Sequence, residues 1–535
     1  MHTVWNNNLE LYCRIAADKT NRPTSLAVVF SQSDAEYWAN RFNRATFCKS
    51  PRSVMCIPGS IEKGNFFTSI SAYSSLLNSL HKRGLPAHNT VIEVLIGKGL
   101  RLSPFTQALG NYKAAFPLPF HLEQGEGILS VAQLSEFCAS GLFACMTNAG
   151  FTGVLIHWAD EILIPGIDLP ESFMRYKDAD VIRLMMKKSV SEDLAKNKEW
   201  LVAHRLTGSL QYELARQDPQ TLIETLERHR ECLIGVNLGT SAVSHEFMDV
   251  LGNVFGGYAE KPSAPIDWDP YFWLALLSDG RADWDRQRDY EVTKGRTGIV
   301  SLEKNYPDFF HKARMVRKIF ENRHHRSPNI LALDLGEAFW IDMGSHLSLT
   351  DHLRGLLRFD DIGRFTRRLY RIPGKRDKNG NTVIRSQVCE RATIRNSLIV
   401  DASISGESSL IDGGIIIGGS YGTVKMPRGG NALFSVVGHL SLEDASCMGL
   451  RLLAEEARIP ASGRSSTVPL NGTRTIITVF ENMEHGQGHF ALPMELTEAT
   501  DQISRMGMPA TDSWYNSSAR ELASRLGILF PENGL

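Results

Sequence analysis

The chain lacks the features that mark secreted, membrane-spanning or nucleic-acid-binding proteins. Its 535 residues carry 58 lysines and arginines against 59 aspartates and glutamates, so no excess of charge favours a nucleic acid or an anionic membrane. The apolar runs are shorter than the roughly 20 residues of a membrane-spanning helix. The first residues lack the basic and then apolar pattern of a signal peptide. We therefore expect a soluble, cytoplasmic protein with no nucleic-acid partner and no membrane partner.

Cysteine and histidine are also sparsely placed. The eight cysteines form no C-x-x-C pair, and scattered cysteines in a long chain are more typical of free, buried thiols than of a zinc site or a disulfide framework. His485 and His489 lie close in sequence, but a zinc site needs further ligands. The sequence predicts no structural zinc. Its length is sufficient for two or three domains with substantial cores.

A β-branched run that leads into glycines and basic residues is the most informative segment. Val91–Ile96 predicts a buried strand, and Arg101 and Lys113 follow it. Glycines let backbone N–H groups approach an anion closely, and the two cations supply positive charge. A glycine loop alone binds nothing in many α/β proteins. We interpret Arg101 and Lys113 as catalytic cations and assign the nucleotide-binding loop to Gly97, Lys98, Gly99 and Leu100.

Two aspartates follow apolar segments further along the chain. Asp160 ends the run that begins at Thr152, and Asp342 follows Trp340 in the sequence Trp-Ile-Asp-Met-Gly. A carboxylate at the carboxyl end of a strand lies in the crevice where open sheets bind ligands. The structural alternatives are that Asp160 stabilises a turn and that Asp342 is the N-cap of the helix predicted at 347–357.

These segments, in this order, resemble the signature of the sugar-1-phosphate nucleotidyltransferases. The loop is similar to the family's GGxGxRLxPLT pattern, with Ile96 where the family has glycine and Leu100 where it has Thr or Ser. The resemblance implies that Asp160 and Asp342 bind Mg²⁺. Between Lys113 and Thr152 we find no match to the family's base-reading segments, so the base is unassigned.

The family also has an Asn-x-Gly strand and a glutamate that contact the sugar. Asn237 and Gly239 match the strand, and the resemblance implies that both bind substrate. Two glutamates could match the second element. Glu213 precedes Asn237, as the family order requires, whereas Glu260 fits the family letters but follows Asn237. We prefer Glu213, because chain order determines the strand on which a residue lies.

The resemblance implies a reaction between a nucleoside triphosphate and a sugar 1-phosphate that yields an NDP-sugar and pyrophosphate. Arg101 would bind the leaving β- and γ-phosphates, and Lys113 would neutralise the α-phosphate or the sugar phosphate. Magnesium would act as Lewis acid and template. Two alternatives stay open: a catalytically inactive regulatory or scaffold subunit that binds nucleotide or sugar phosphate, and a nucleotidyltransferase for a non-sugar phosphorylated substrate.

Small or aliphatic residues recur every six positions in the C-terminal part, at Ala392, Leu398, Ile404, Leu410 and Ile416. A six-residue period is typical of a parallel β-helix. Several members of the family that the chain resembles have a left-handed β-helix after the catalytic domain. We interpret the repeat as a structural element through which the protein could form a homo-oligomer.

The predicted fold class is α/β: a Rossmann-like nucleotidyltransferase (GT-A-like) domain with a mixed central sheet, followed by a short left-handed parallel β-helix. Ser25–Phe30 predicts a strand, and Ser69–Arg83 and Leu440–Ala457 predict helices. The predicted parts are an N-terminal extension packed on the catalytic domain at 1–90, the nucleotidyltransferase domain at 91–360 with a helical insertion around 263–328, a linker at 361–384, the hexapeptide β-helix at 385–425, and a capping C-terminal region at 426–535.

Overall fold

The computed structural model describes residues 2–18, 22–44, 54–60, 63–82, 88–97, 99–121, 128–169, 171–191, 194–195, 198–278, 280–480 and 494–530. The strands of these residues are β1 Thr24–Val29, β2 Val54–Pro58, β3 Thr90–Val94, β4 Pro117–His121, β5 Ile128–Ser130, β6 Gly153–Trp158, β7 Glu161–Ile164, β8 Val181–Met186, β9 Glu199–His204, β10 Leu210–Ala215, β11 Cys232–Ser244, β12 Ile330–Asp334, β13 Phe339–Asp342, β14 Thr382–Ile384, β15 Gln387–Val388, β16 Thr393–Arg395, β17 Leu398–Val400, β18 Ser403–Ile404, β19 Ser409–Ile411, β20 Gly414–Met426, β21 Gly430–Leu442, β22 Met448–Leu450, β23 Leu453–Ile459, β24 Gly463–Leu470 and β25 Thr473–Phe480.

The helices of the same residues are His2–Ala17, Gln32–Arg44, Gly64–Lys82, Phe105–Ala108, Val131–Asn148, Pro219–Arg228, His245–Glu260, Trp273–Leu277, Arg281–Thr293, Gly298–Asn305, Phe309–His324, His346–Gly355, Asp361–Leu369 and Met494–Leu526. The last of these is interrupted at Gly507, whose φ of 73° is not helical. None of the helices in the part of the chain that the structure describes is long and apolar enough to cross a membrane.

The central sheet is mixed and has nine strands. Its main order is β10-β9-β11-β6-β3-β1-β2, and β8 joins β11 to β12. The strands β2, β1, β3 and β6 run parallel to one another, whereas β11 is antiparallel to β6, β8 and β9. Parallel strands need crossover connections, and here helices provide them. The protein is therefore a mixed α/β protein, as the sequence predicts.

Both faces of this sheet are covered. Alternate residues of β1 point to opposite sides: Ala27 and Val29 join the core beneath the helices His2–Ala17 and Val131–Asn148, and Leu26 and Val28 join the core beneath Gly64–Lys82 and His245–Glu260. Strands buried on both faces read as continuous apolar runs, which explains the unbroken burial of β1, β3 and β6.

Two strands from the described part of residues 1–90 belong to the central sheet. Thr24–Val29 and Val54–Pro58 are two of its strands, and β1 pairs directly with β3, the strand that precedes the glycine loop. The sequence predicts a strand at Ser25–Phe30 and a helix at Ser69–Arg83, and the structure has β1 and the helix Gly64–Lys82 there. Two βα units therefore precede the loop and contribute strands to the central sheet, whereas the predicted division of the chain into domains stays a prediction.

Strands between 382 and 466 pair in parallel with strands 16 or 17 residues further along the chain. Leu398 pairs with Thr382 and with Ile415, Ile415 pairs with Asn431, and Asn431 pairs with Met448. Four of the five hexapeptide positions, from Leu398 to Ile416, are buried. The parallel pairing continues past the predicted boundary at residue 425.

The segment Leu440–Ala457 is not helical, in contrast to the prediction. Its residues belong to β21, β22 and β23. The apolar spacing of Leu440, Cys447 and Ala457 also fits short strands, because all three point into one buried cluster with Ile404 and Ile416. Pairing with neighbouring strands therefore decides the local structure, and intrinsic propensity does not.

The described cysteines agree with the expected thiol state at all positions but one. Cys56, Cys138, Cys145, Cys232, Cys389 and Cys447 are not disulfide-bonded. Cys13 is disulfide-bonded, so the expectation of free thiols is wrong at this position.

Candidate active site

A cavity of about 550 Å³ opens at the carboxyl ends of β3 and β6, beside the middle of the antiparallel strand β11. Ligands of open α/β sheets bind at this edge. Seven of the residues that the sequence singles out line the cavity, and they come from four separate segments of the chain: Gly97, Arg101, Lys113, Asp160, Asn237, Gly239 and Asp342. The sequence segments thus converge on one site.

The glycine loop follows β3 and is held by Thr106. The Thr106 hydroxyl donates a hydrogen bond of 2.7 Å to the Gly99 carbonyl. Gly99 has a φ of 56°, and a β-carbon on it would lie 2.7 Å from Thr106 Cγ2. Only glycine satisfies both conditions. Lys98 lies outside the described residues, as does the side chain of Leu100, so their nucleotide-binding roles stay predictions.

The two aspartates are brought together by the two-stranded pair β7–β13. Asp342 is the cross-strand partner of Glu161, which follows Asp160. The Met343 N–H donates to the Asp160 carbonyl at 3.0 Å. The Gly344 N–H donates to Asp342 Oδ1 at 2.7 Å. This backbone arrangement orients both carboxylates towards the cavity.

Arg101 converges on the same point. The position that a β-carbon on Gly344 would occupy lies 2.7 Å from Asp342 Oδ1, 3.1 Å from Arg101 Nη2 and 3.3 Å from Asp160 Oδ2. Arg101 and the carboxylates of Asp160 and Asp342 therefore surround the space that a side chain at position 344 would occupy. Such a cluster can bind a phosphate through the cation and a metal ion through the carboxylates.

Two lysines neutralise the aspartates. Lys113 forms an ion pair with Asp160, and Lys198 Nζ lies 3.5 Å from Asp342 Oδ2 and 4.6 Å from the centre of the Trp340 ring. Burial alone would lower the pKa of Lys113, but Asp160 and Asp342 raise it above its ordinary value. Burial alone would raise the pKa of Asp342, but Lys198, Lys113 and Arg101 lower it. Both groups are therefore held in their charged forms.

Glu161 is the third carboxylate of the cluster. It is 7% exposed, and its Oε2 atom has no hydrogen-bond partner in the described structure. Burial raises its pKa well above the ordinary value, and Asp342 and Asp160 raise it further. The sequence places Glu161 beside Asp160 but gives it no separate role.

The carboxylates can be tested for their fit to a metal ion. Within the described ranges, no group of three or more His, Cys, Asp or Glu side chains is arranged to hold a metal ion. Magnesium commonly takes one or two carboxylates and completes its shell with water and substrate phosphates. Asp160 and Asp342, with the unpartnered oxygen of Glu161 beside them, fit an ion that arrives with a phosphorylated substrate.

The Asn-x-Gly segment lies on β11, at an irregularity in its pairing with β8. Asn237 Oδ1 accepts a 3.0 Å hydrogen bond from the Gly239 N–H. Gly239 has a φ of 72°, and a β-carbon there would lie 2.6 Å from Trp158 Nε1. Glycine at this position lets the strand pass close to Trp158 and leaves the Asn237 amide at the cavity.

Glu213 does not line the cavity. Its side chain is fully buried on β10 and accepts a 3.0 Å hydrogen bond from Arg183 Nη1. Arg183 Nη2 lies 2.5 Å from Asp269 Oδ1, and it is Asp269 that lines the cavity. Glu213 is therefore near the site, but Arg183 lies between its side chain and Asp269 at the cavity wall. The direct contact between Glu213 and the substrate stays a prediction, and the Glu213 side chain does not line the cavity in which that contact would form.

Sequence reasoning missed further residues of the cavity wall, notably Lys198, Arg216 and Asp269. Arg216 Nε lies 3.2 Å from Glu199 Oε1 at the cavity. The signal for Asp269 was an aspartate within the aromatic run from Trp268 to Trp273. The signal for Lys198 was weaker, since a lone lysine before a strand is common.

Comparison with known proteins gives no family for this chain. No protein-family model matches it, and no curated protein matches it. One solved structure with which it aligns is the crystal structure of mannose-1-phosphate geranyltransferase from Thermus thermophilus. The alignment has 11% identity, covers 90% of this chain and 98% of the other, and gives a TM-score of 0.24. At that score the likeness supports no conclusion on function, so the function is derived below from the geometry of the cavity.

Proposed function

We propose that the protein is a nucleotidyltransferase that joins a nucleoside triphosphate to a sugar 1-phosphate and releases pyrophosphate. The observation that carries this proposal is the convergence of Arg101, Lys113, Asp160 and Asp342 in one cavity at the carboxyl edge of the sheet. Two phosphorylated anions can react only if their mutual repulsion is cancelled and their atoms are aligned. The cavity provides cations for this purpose, and oxygen ligands for a divalent ion.

The reaction needs no covalent intermediate with the protein. An oxygen of the sugar phosphate attacks the α-phosphorus, the bond from that phosphorus to the bridging oxygen breaks, and pyrophosphate leaves with the electron pair. Arg101 binds the leaving phosphates. Lys113 leaves its ion pair with Asp160 and neutralises the α-phosphate. Asp160 and Asp342 would hold Mg²⁺, which supplies Lewis-acid neutralisation of phosphate charge.

The glycine loop supports the phosphate-binding part of the proposal. Gly97 lines the cavity next to Arg101, and a β-carbon on Gly97 would lie 3.7 Å from Lys113 Cε. Side chains at this position would enter the space where the lysine approaches the phosphates. The loop therefore leaves room for an anion between the backbone and two cations.

We also infer that residues 382–466 form the predicted parallel β-helix. The repeated pairing at separations of 16 or 17 residues supports this, because each turn of such a coil lies on the one before it. Leu398, Val400, Ile415 and Leu433 join the main core of the catalytic domain. The coil is therefore part of the same packed body, and a homo-oligomer through its outer surface stays a prediction.

Pyrophosphate release from the purified chain with magnesium tests the reaction. The common nucleoside triphosphates are crossed with a panel of sugar 1-phosphates, and Asp160→Asn is measured beside Asp178→Asn, an exposed aspartate. We expect release with one pair, lost in Asp160→Asn and kept in Asp178→Asn. Nucleotide binding without release from any pair would favour the inactive regulatory subunit. Release with a non-sugar phosphate alone would replace the sugar in the proposal.

A further inference from the structure

Besides the cluster of Asp160, Glu161 and Asp342, the cavity has a cationic part and a second acidic part. Arg101 and Lys113 lie at the phosphate loop, whereas Asp269 comes from the insertion and lines the cavity with Asn237. A phosphate would be repelled by the Asp269 carboxylate, but hydroxyl groups donate hydrogen bonds to a carboxylate favourably. The cavity is thus suited to a ligand that has phosphate at one end and hydroxyl groups at the other.

Asp269 is fixed by a buried guanidinium. Arg183 is fully buried, and its Nη2 lies 2.5 Å from Asp269 Oδ1. The guanidinium also packs 4.6 Å from the centre of the Trp273 ring and binds Glu213 at 3.0 Å. Because the Arg fork is planar and rigid, contact on both sides fixes its orientation. The Asp269 side chain, with 15% of its surface exposed, is held against this fork.

The ion pairs among Arg183, Glu213 and Asp269 stabilise the fold no more than a well-packed apolar core would. A buried ion pair rarely stabilises a fold more than well-packed apolar side chains of similar volume. One guanidinium here faces two carboxylates, and burial raises the pKa of Glu213 well above its ordinary value. We therefore interpret the burial of these charged groups, which costs free energy, as the means by which the carboxylate of Asp269 is oriented at the cavity wall.

Asn237 is the second polar residue that we assign to this part of the cavity, together with Asp269. Its Oδ1 atom accepts the Gly239 N–H, so its amide N–H₂ group is left for other partners, and both Asn237 and Asp269 line the cavity. The amide and the carboxylate therefore form one polar surface on the cavity wall. Neighbouring hydroxyl groups on a sugar ring could donate to Asp269 and accept from Asn237 together.

We propose that Asp269, with Asn237, recognises the hydroxyl groups of the sugar, and that Arg183 and Glu213 act as positioning residues for Asp269. This inference rests on the proposed function and names its substrate class more closely: a monosaccharide 1-phosphate with free neighbouring hydroxyl groups. A site built to bind hydroxyl groups rejects an analogue that lacks them, since its buried polar groups are then left unpaired.

Binding and kinetics with deoxy sugars test this directly. Calorimetry measures the binding of the sugar 1-phosphates and their single-deoxy analogues, and of the nucleoside triphosphates, to the full chain. The variants are Asp269→Asn, which keeps the shape of the side chain, and Glu213→Gln. Asp289→Asn is the matched control, because Asp289 lies in the same insertion with 72% of its side chain exposed.

We expect Asp269→Asn to weaken binding of the preferred sugar 1-phosphate about 10- to 100-fold, as the loss of a hydrogen bond to a charged group does. Nucleotide binding should stay within about twofold, since only the hydroxyl end is changed. The loss should disappear with the analogue that lacks the contacted hydroxyl. Glu213→Gln should raise KM for the sugar phosphate and leave kcat unchanged, with the same dependence on that hydroxyl.

Equal binding of the sugar phosphates by Asp269→Asn and the parent protein would overturn the inference. So would a loss shared by nucleotide and sugar phosphate with a lower melting temperature, because it would indicate a purely structural role. If sugar phosphate binding depends on Asp269 but no pair releases pyrophosphate, the reaction is refuted and the hydroxyl site stands. If the parent protein binds no sugar phosphate, the hydroxyl site is refuted even where nucleotide is consumed.

Discussion

Asp342 lies directly opposite Glu161 in the antiparallel pair β7–β13, and this register brings two distant segments of the chain into one acidic cluster. A shift of one residue would turn Asp342 to the other face of the pair. The hydrogen bond from the Met343 N–H to the Asp160 carbonyl holds the register where β7 begins and β13 ends. The relative positions of Asp160, Glu161 and Asp342 therefore depend on the short β7–β13 pair more than on the central sheet.

Asp342→Asn should abolish most activity with little loss of stability. The change removes the charge that faces Lys198 and Lys113 and weakens the proposed metal site, so we expect turnover to fall about 100-fold or more. The Asp342 side chain is 22% exposed, and partly exposed ion pairs contribute at most about 1 kcal/mol. Pyrophosphate release and thermal melting measure the two effects. Turnover close to the parent level would remove Asp342 from the site.

Gly344→Ala should disturb the same cluster by volume alone. The added β-carbon would lie 2.7 Å from Asp342 Oδ1 and 3.1 Å from Arg101 Nη2, so both side chains must move. We expect a loss of about 1–3 kcal/mol in unfolding free energy, typical of overpacking, together with a clear fall in kcat.

The matched control for Gly344→Ala is Gly256→Ala. Gly256 lies in the helix His245–Glu260, and a β-carbon there meets no atom within 4 Å. Alanine favours a helix over glycine by up to about 1 kcal/mol, so this variant should be as stable as the parent protein or more stable. Equal effects of the two alanines would contradict the clash that we derive at Gly344.

The sequence predicts the parts of the site that local patterns determine. Gly97, Arg101 and Asp160 directly follow apolar strands, and strand ends in an open sheet meet at one edge. Asp342 follows a short apolar segment that also becomes a strand. These four residues could be predicted because each lies at a recognisable boundary between an apolar run and a turn.

Other parts of the site depend on tertiary contacts that no local pattern reports. Glu213 lies on the expected strand, but a fully buried Arg183 binds its side chain behind the cavity. Asp269 reaches the cavity from an insertion whose path is set by packing of Trp268 and Trp273. Between Lys113 and Thr152, the buried helix Val131–Asn148 takes 18 residues, and the segment that reads the base stays unassigned.

His346 should make the protein less stable in mild acid. Burial lowers its pKa to about 3, and its Nε2–H group donates to the Ser103 carbonyl at 2.8 Å. The unfolded chain binds a proton near its ordinary pKa of 6.5, so stability is fully present above pH 6.5 and is lost as the pH falls towards the folded pKa.

Between pH 7.5 and 5.5, His346 alone should cost about 1.4 kcal/mol of unfolding free energy. Urea unfolding at the two pH values measures it, in the parent protein and in His346→Gln. The difference between the two pH values should be smaller in the variant by about this amount. His311→Gln, which changes an exposed histidine, is the control. An unchanged pH dependence in His346→Gln would contradict the prediction, because it would indicate that the histidine has the same pKa in the folded protein as in the unfolded chain.

Asp512→Asn should destabilise the protein by leaving two cations without their shared partner. Asp512 Oδ1 lies 2.8 Å from Arg451 Nη2, and Arg41 Nη1 lies 3.8 Å from Oδ2. Burial alone would raise the pKa of Asp512, but Arg451 and Arg41 lower it below its ordinary value. Removal of one partner from a buried ion pair costs about 3–5 kcal/mol, because the remaining charge is uncompensated.

This cluster also connects the C-terminal helix to the phosphate loop. Arg451 Nη1 donates to the Ala108 carbonyl at 3.0 Å, in the short helix between Arg101 and Lys113. We therefore expect Asp512→Asn to lower both the unfolding free energy in urea and kcat, whereas Asp501→Asn, on the exposed side of the same helix, should change neither. A loss of stability with unchanged kcat would mean that the helix supports the fold without positioning Arg101 and Lys113, the two proposed catalytic cations.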